Sequence, residues 1–150
     1  MEVVVMSEDA VKKYECVEPH VVISIRSPDG EAVELPENPA RKGVLRLAFH
    51  DVDGPGEEDI ASRWLRRAGI APIPMSRDQA EEVREFVRQN DDVGVVICNC
   101  EAGISRSAGV AAALAKTYNG DDGRYFVQYH PNRHAYRMVL DAMQGGSIGP

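Results

Sequence analysis

Apolar and polar positions along the chain switch repeatedly between a strand-like and a helix-like period, and the switches divide it into short alternating elements. Val3 to Val5 is a brief apolar run that predicts a strand, and Ser7 is placed to cap a helix continuing through Tyr14. His20 to Arg26 (HVVISIR) predicts a second strand, stopped by the turn residues Ser27-Pro28-Asp29-Gly30. Residues 31–42, interrupted by Pro36 and Pro39, read as a loop. Gly43 to Phe49 follows as a third strand with Leu45 and Leu47 on one face, and Asp51-Val52-Asp53-Gly54-Pro55-Gly56 ends it in an acidic, glycine-rich loop.

Helical spacing then takes over. From Glu57 to Ala68 acids precede arginines, Ile60, Trp64 and Ala68 share a face, and Gly69 closes the segment, which predicts a short amphipathic helix. Ser76-Arg77-Asp78-Gln79 has the form of a capping box, and Ala80, Val83 and Phe86/Val87 make the apolar stripe of a helix reaching about Asn90. Val93 to Cys98 is apolar throughout, as a strand buried on both faces would be. Ser107 to Lys116 (SAGVAAALAK) is small and apolar on nearly every side, so its helix belongs at the centre and should end at Asn119-Gly120. Asn132 to Met143 supplies a last helix. Strands alternating with helices predict an α/β fold, a mostly parallel central sheet with helices on both faces. Residues 1–144 are expected to form one domain and residues 145–150 a loose tail.

A single domain of this length buries about 70% of its unfolded surface and needs no metal or disulfide staple. The chain is 43% hydrophobic and 27% charged, without an apolar run of the roughly 20 residues that a membrane helix requires. A basic start and a cleavage site of signal-peptide type are missing at Met1, and three cysteines make an odd number, so reduced thiols and a cytoplasmic location are expected. The formal charge of −7 disfavours nucleic acid as a partner and requires any anion site to be built by local geometry.

In parallel α/β sheets ligands bind beyond the carboxyl ends of the strands, so the chemistry is to be sought after Phe49 and after Cys98. The second of these places holds Cys100-Glu101-Ala102-Gly103-Ile104-Ser105-Arg106-Ser107. A short loop between a strand and a helix can curl until successive backbone N–H groups converge, and the helix N-terminus adds its partial positive charge. Residues Glu101, Ala102, Gly103, Ile104, Ser105 and Arg106 would then surround a phosphate. Arg106 offers two parallel donors to its oxygens, which a lysine cannot do. The same dipoles favour the thiolate form of Cys100, the form that attacks. Gly103 permits a positive φ or a close backbone approach, and Ser107 carries a hydroxyl toward the sulfur.

Val95 to Ala113 resembles the signature loop of the dual-specificity branch of the protein tyrosine phosphatases, His-Cys-x-x-Gly-x-x-Arg-Ser, and a weaker likeness in element order extends over residues 43–116. The resemblance implies a protein tyrosine phosphatase-like fold and two-step hydrolysis of phosphotyrosine, with or without phosphoserine and phosphothreonine, through a phosphocysteine. It implies no metal and no cofactor, and a phosphorylated protein or small phosphomonoester as partner. Cys100 would be the nucleophile, Arg106 the phosphate clamp and Ser107 the hydroxyl that assists turnover. The general acid would follow the third strand, where alignment favours Asp51 over Asp53. Asn99 stands where the family usually has histidine, and is expected to support the loop through amide hydrogen bonds.

Other readings use the same residues. Cys98 and Cys100 with His130 and His134 would make a zinc site of two thiolates and two imidazoles, although Pro131 interrupts the helix between the histidines. A non-catalytic module would use the cup to bind a phosphoprotein without turnover. Glu101, Ala102 and Ile104 occupy places where phosphoinositide-specific relatives tend to carry lysines, which disfavours an inositol headgroup. Arg63, Arg66 and Arg67 form a basic face that is either simply solvated or binds a second acidic group of the substrate.

Overall fold

A computed structural model describes residues 1–56 and 59–145. Its elements run β1 (Glu2–Met6), α1 (Glu8–Val11), β2 (His20–Arg26), β3 (Arg41–Ala48), α2 (Ile60–Arg67), α3 (Arg77–Gln89), β4 (Val95–Asn99), α4 (Arg106–Asn119), α5 (Gly123–Gln128) and α6 (Arg133–Gly145). The four strands pair in the order β1-β4-β2-β3, and every pairing is parallel. The α/β architecture read from the alternating periods is therefore the one observed, with no antiparallel strand among the described residues.

Burial explains this order. β4 is buried at every position and lies between β1 and β2, whereas β3 alternates between half-buried and exposed residues until Leu47, as an edge strand does. Alternate residues of the central strands feed two apolar layers. Val21, Ile23, Val96 and Cys98 face α4, α3 and α6, and α4 is so rich in alanine that neighbours approach it from all sides. Val22, Val95 and Ile97 face the opposite layer with Val11, Tyr14 and Val33. Helices thus cover both faces, but unequally: α1 and the chain around Val33 do on one side what three long helices do on the other.

The close approach of α4 to α6 depends on Gly109, where an added Cβ would lie 2.6 Å from the Asn132 carbonyl oxygen and 3.4 Å from the Ala135 Cβ. Backbone cannot retreat cheaply from such a contact. Gly109→Ala is expected to cost about 1–3 kcal/mol of stability, measured as a shift in the urea midpoint at unchanged m-value.

Four differences from the sequence reading have physical reasons. The Ser7-capped helix ends at Val11, four residues long, because the chain turns at Lys12 to bring Tyr14 against His20, where the two side chains share a 2.7 Å hydrogen bond. Helix α5 has no pattern of its own; it is a six-residue segment held by its partners, with the Tyr125 hydroxyl donating to the Val3 carbonyl at 2.6 Å. Gly145, expected to open the tail, is instead the last residue of α6, and residues 146–150 lie outside the described residues. The helix expected from Glu57 is described only from Ile60, with 57 and 58 outside the description, and its apolar stripe faces solvent.

Candidate active site

Because all strands are parallel, their carboxyl ends meet at one edge of the sheet, and each delivers a residue there. β4 delivers Cys100, β2 delivers Ser27, β3 delivers Phe49 to Asp51, and β1 delivers the Met6-Ser7 junction. The loop from Cys100 to Arg106 packs into this ring. Gly103 has φ +70°, and a Cβ there would stand 2.5 Å from the Ser7 backbone nitrogen, so a glycine is required on both counts.

The carbonyls of the loop are bonded outward. Glu101 O accepts from Glu8 N (3.1 Å), Ile104 O from His130 N (2.9 Å), and Ser105 O from Asn132 N (2.9 Å) and Gly109 N (2.9 Å). Among the described residues the amides of Glu101 to Ser105 donate to no backbone carbonyl. N–H groups left without a backbone acceptor at a strand-to-helix loop suit this edge to an anion. Ser105 sits at the N-cap position of α4 without capping it, which leaves the first-turn amides free as well.

Cys100 is 2% exposed, and its Sγ lies 3.1 Å from the Ser107 Oγ on the first turn of α4. Arg106 is 7% exposed; its Nη1 donates to the Ser27 Oγ (3.0 Å) and to the Phe49 carbonyl (2.9 Å). These two bonds fix the guanidinium across the ends of β2 and β3. Cys98, two residues before, is fully buried on the helical side, and burial pushes its thiol well above the ordinary range, so it stays protonated and packs as a small apolar residue.

Asp51 reaches the same loop. Its Oδ1 accepts from the Ser105 Oγ (2.7 Å) and from the Asn132 Nδ2 (2.8 Å), while Asn132 also donates to the Val52 carbonyl (3.0 Å). Asp53 is exposed and takes no part in this network. The segment after β3 that carries Asp51 is strapped by the buried His50. Its Nδ1 accepts from Ile73 N (3.0 Å), which leaves the proton on Nε2 to be donated to Asp29 Oδ1 (3.0 Å). That bond holds the Asp29 carboxyl below its usual range.

Three supporting residues were not singled out from the sequence. Ser27 and Asp29 were read only as a turn, and Asn132 only as the start of a helix. Spacing gives no hint of their partners, which lie far away along the chain; the one local signal is that Asn132 follows Pro131 where a capping residue is expected, and its Oδ1 does cap Ala135 N. Asn99 is 1% exposed, and its Oδ1 is buried without a hydrogen-bond partner, so of the amide hydrogen bonds expected to support the loop the one through that oxygen is not made. Asn99 instead lines a cavity of about 120 Å³ with Glu8, Arg26, Glu31 and Cys100, beside the loop. His134, weighed as a metal ligand, donates its Nε2 proton to the Met75 carbonyl (2.9 Å).

Similarity to known proteins was found at the level of structure. Human DUSP28 superposes with a TM-score of 0.53 at 15% sequence identity, over 97% of this chain and 93% of that one. The fold is that of the dual-specificity phosphatases. Human tyrosine phosphatase-like serine/threonine/tyrosine-interacting protein matches at a TM-score of 0.44 and 19% identity, over 83% of this chain and 76% of that one. No family model matches the sequence, and no curated protein is significantly similar to it. Within the dual-specificity phosphatase fold, the loop from Cys100 to Arg106 lies beyond the carboxyl end of a central strand, where an α/β sheet binds its ligands. No helix among the described residues is long and apolar enough to cross a membrane.

Proposed function

We propose that this protein is a cysteine-dependent phosphatase that hydrolyses phosphotyrosine monoesters, and phosphoserine or phosphothreonine where these reach the cup. The observation that carries this reading is the convergence of four groups on one loop. A thiol, a hydroxyl within 3.1 Å of it, a buried arginine and a carboxylate bonded to the loop meet at the end of the sheet. A binding module has use for the arginine and the amides, but not for the carboxylate or the hydroxyl.

The chemistry follows from these positions. The Cys100 thiolate attacks phosphorus while the free amides and the unengaged donors of Arg106 hold the equatorial oxygens, whose charge rises in the transition state. The ester oxygen departs with a proton from Asp51. With Oδ1 bonded twice, Oδ2 is the oxygen that carries it. Water then attacks the phosphocysteine, Asp51 takes up the proton, and the Ser107 hydroxyl donates to the departing sulfur.

Release of phosphate from an aryl phosphate, persisting in the presence of a chelator, is the test of this reading; its absence would leave only binding. Substrates with poor leaving groups need the proton most. Asp51→Asn is therefore expected to lower their turnover about 10²–10⁴-fold and to affect activated aryl phosphates far less, with Asp53→Asn near wild type. The reverse ranking of the two aspartates would move the acid to Asp53.

A further inference from the structure

Helix α2 (IASRWLRR) inverts the usual rule for amphipathic helices. An apolar stripe ordinarily turns to the core, yet the buried residue of α2 is Ser62, while Ile60 is 72% exposed and Trp64 66% exposed. Arg63 and Arg67 are exposed as well. The spacing 60, 63, 64, 67 puts all four residues on one face. The Arg67 guanidinium stands 6.0 Å from the centre of the Trp64 ring.

This face is tied to the candidate active site by the chain itself. The excursion carrying α2 is closed at its base by His50 and Ile73, paired through two hydrogen bonds, and Asp51 is the next residue. Ile60 follows Asp51 by nine positions, so at most about 30 Å separates them. An extended peptide of about ten residues spans that distance. Within α2 there are three arginines and no acid, in a chain of net charge −7 whose acids Glu57, Glu58 and Asp59 come before the helix.

We propose that the Ile60-Arg63-Trp64-Arg67 face is a docking surface for the protein substrate, binding an acidic segment with an apolar side chain, separate from the phosphorylated residue. The proposal rests on the phosphatase reading above and adds the class of substrate. Charge decides the sign of the partner, since Arg63 and Arg67 flank the tryptophan and pair with carboxylates on either side of an apolar anchor. Area decides its size. A specific dimer buries about 800 Å² per partner, whereas a Trp offers about 150–250 Å² and this stripe has two large apolar residues, enough for a peptide. An anionic bilayer would meet the acidic remainder of the molecule.

Trp64 is the single tryptophan of the chain, so intrinsic fluorescence reports on this face alone. Titration with an unphosphorylated acidic peptide containing one Leu, which has no phosphate to engage the cup, is expected to blue-shift its emission. Arg63→Glu should abolish the shift and Arg63→Lys retain most of it. On the phosphotyrosine form of that peptide, Trp64→Ala or Arg63→Glu should raise KM about tenfold, leaving kcat and the constants for a small aryl phosphate unchanged. Circular dichroism establishes that the variants are folded.

An emission unmoved by the peptide, or an unchanged KM, overturns the proposal. So does a shift produced by phosphatidylserine vesicles but not by peptide, or a dimer in sedimentation that Trp64→Ala dissolves. If the wild type hydrolyses neither aryl phosphate nor peptide, the phosphatase reading fails by itself, and the fluorescence titration still decides whether the face binds acidic peptide.

Discussion

Cys100→Ser is expected to abolish phosphate release, by on the order of 10⁴-fold or more, while leaving the cup able to bind phosphate or vanadate. The serine oxygen is smaller than sulfur, fits the same space and can hydrogen-bond the Ser107 Oγ, which Sγ meets at 3.1 Å. A hydroxyl is a poor nucleophile without a base beside it. The binding elements are separate from the sulfur: the carbonyls that turn the loop are held by Glu8, His130 and Asn132, and Arg106 is held by Ser27 and Phe49. Binding should therefore survive within a few-fold by calorimetry. Turnover close to wild type in this variant would place the nucleophile elsewhere, and simultaneous loss of anion binding would show that the sulfur helps to shape the loop.

Arg106→Lys is expected to reduce kcat/KM about 10²–10³-fold despite keeping the charge. The guanidinium is 7% exposed and works in two directions at once. Nη1 spans the ends of β2 and β3 through Ser27 and the Phe49 carbonyl, and the remaining donors are available to two oxygens of one phosphate. An ammonium is a compact point donor that cannot hold this planar fork, so either the strap to β2 and β3 or the contact with phosphate is lost. Because the anion's charge is greatest in the transition state, kcat should fall more than the affinity for inorganic phosphate. Loss of both in equal measure would assign Arg106 to binding alone. Activity within a few-fold of wild type would show that the clamp is not Arg106.

What the sequence determined by itself is what short-range periodicity and local chemistry encode. The limits of β2, His20–Arg26, and the capping box of α3 at Ser76 and Gln79 are as read, because alternation and cap chemistry involve residues a few positions apart. The continuous apolar run ending at Cys98 placed β4 inside the sheet, and the spacing from Cys100 to Arg106 located the loop at its end. The small-residue composition of α4 likewise located the central helix.

Tertiary structure decided everything that depends on partners distant in the chain. Asp51 meets Ser105 across 54 positions and Asn132 across 81, and this contact, which no spacing rule contains, separates Asp51 from the equally acidic Asp53. Ser27 gains a role only because parallel pairing brings the end of β2 beside the loop that follows β4, 79 positions from Arg106. Asn99 shows the converse: its amide has hydrogen-bonding capacity in any sequence, but its surroundings leave Oδ1 without a partner. Helix α2 makes the same point in the largest way. A helical period of apolar residues shows that they share a face, and only the packing of the rest of the chain determines whether that face meets the core or, as with Ile60 and Trp64, is left to solvent.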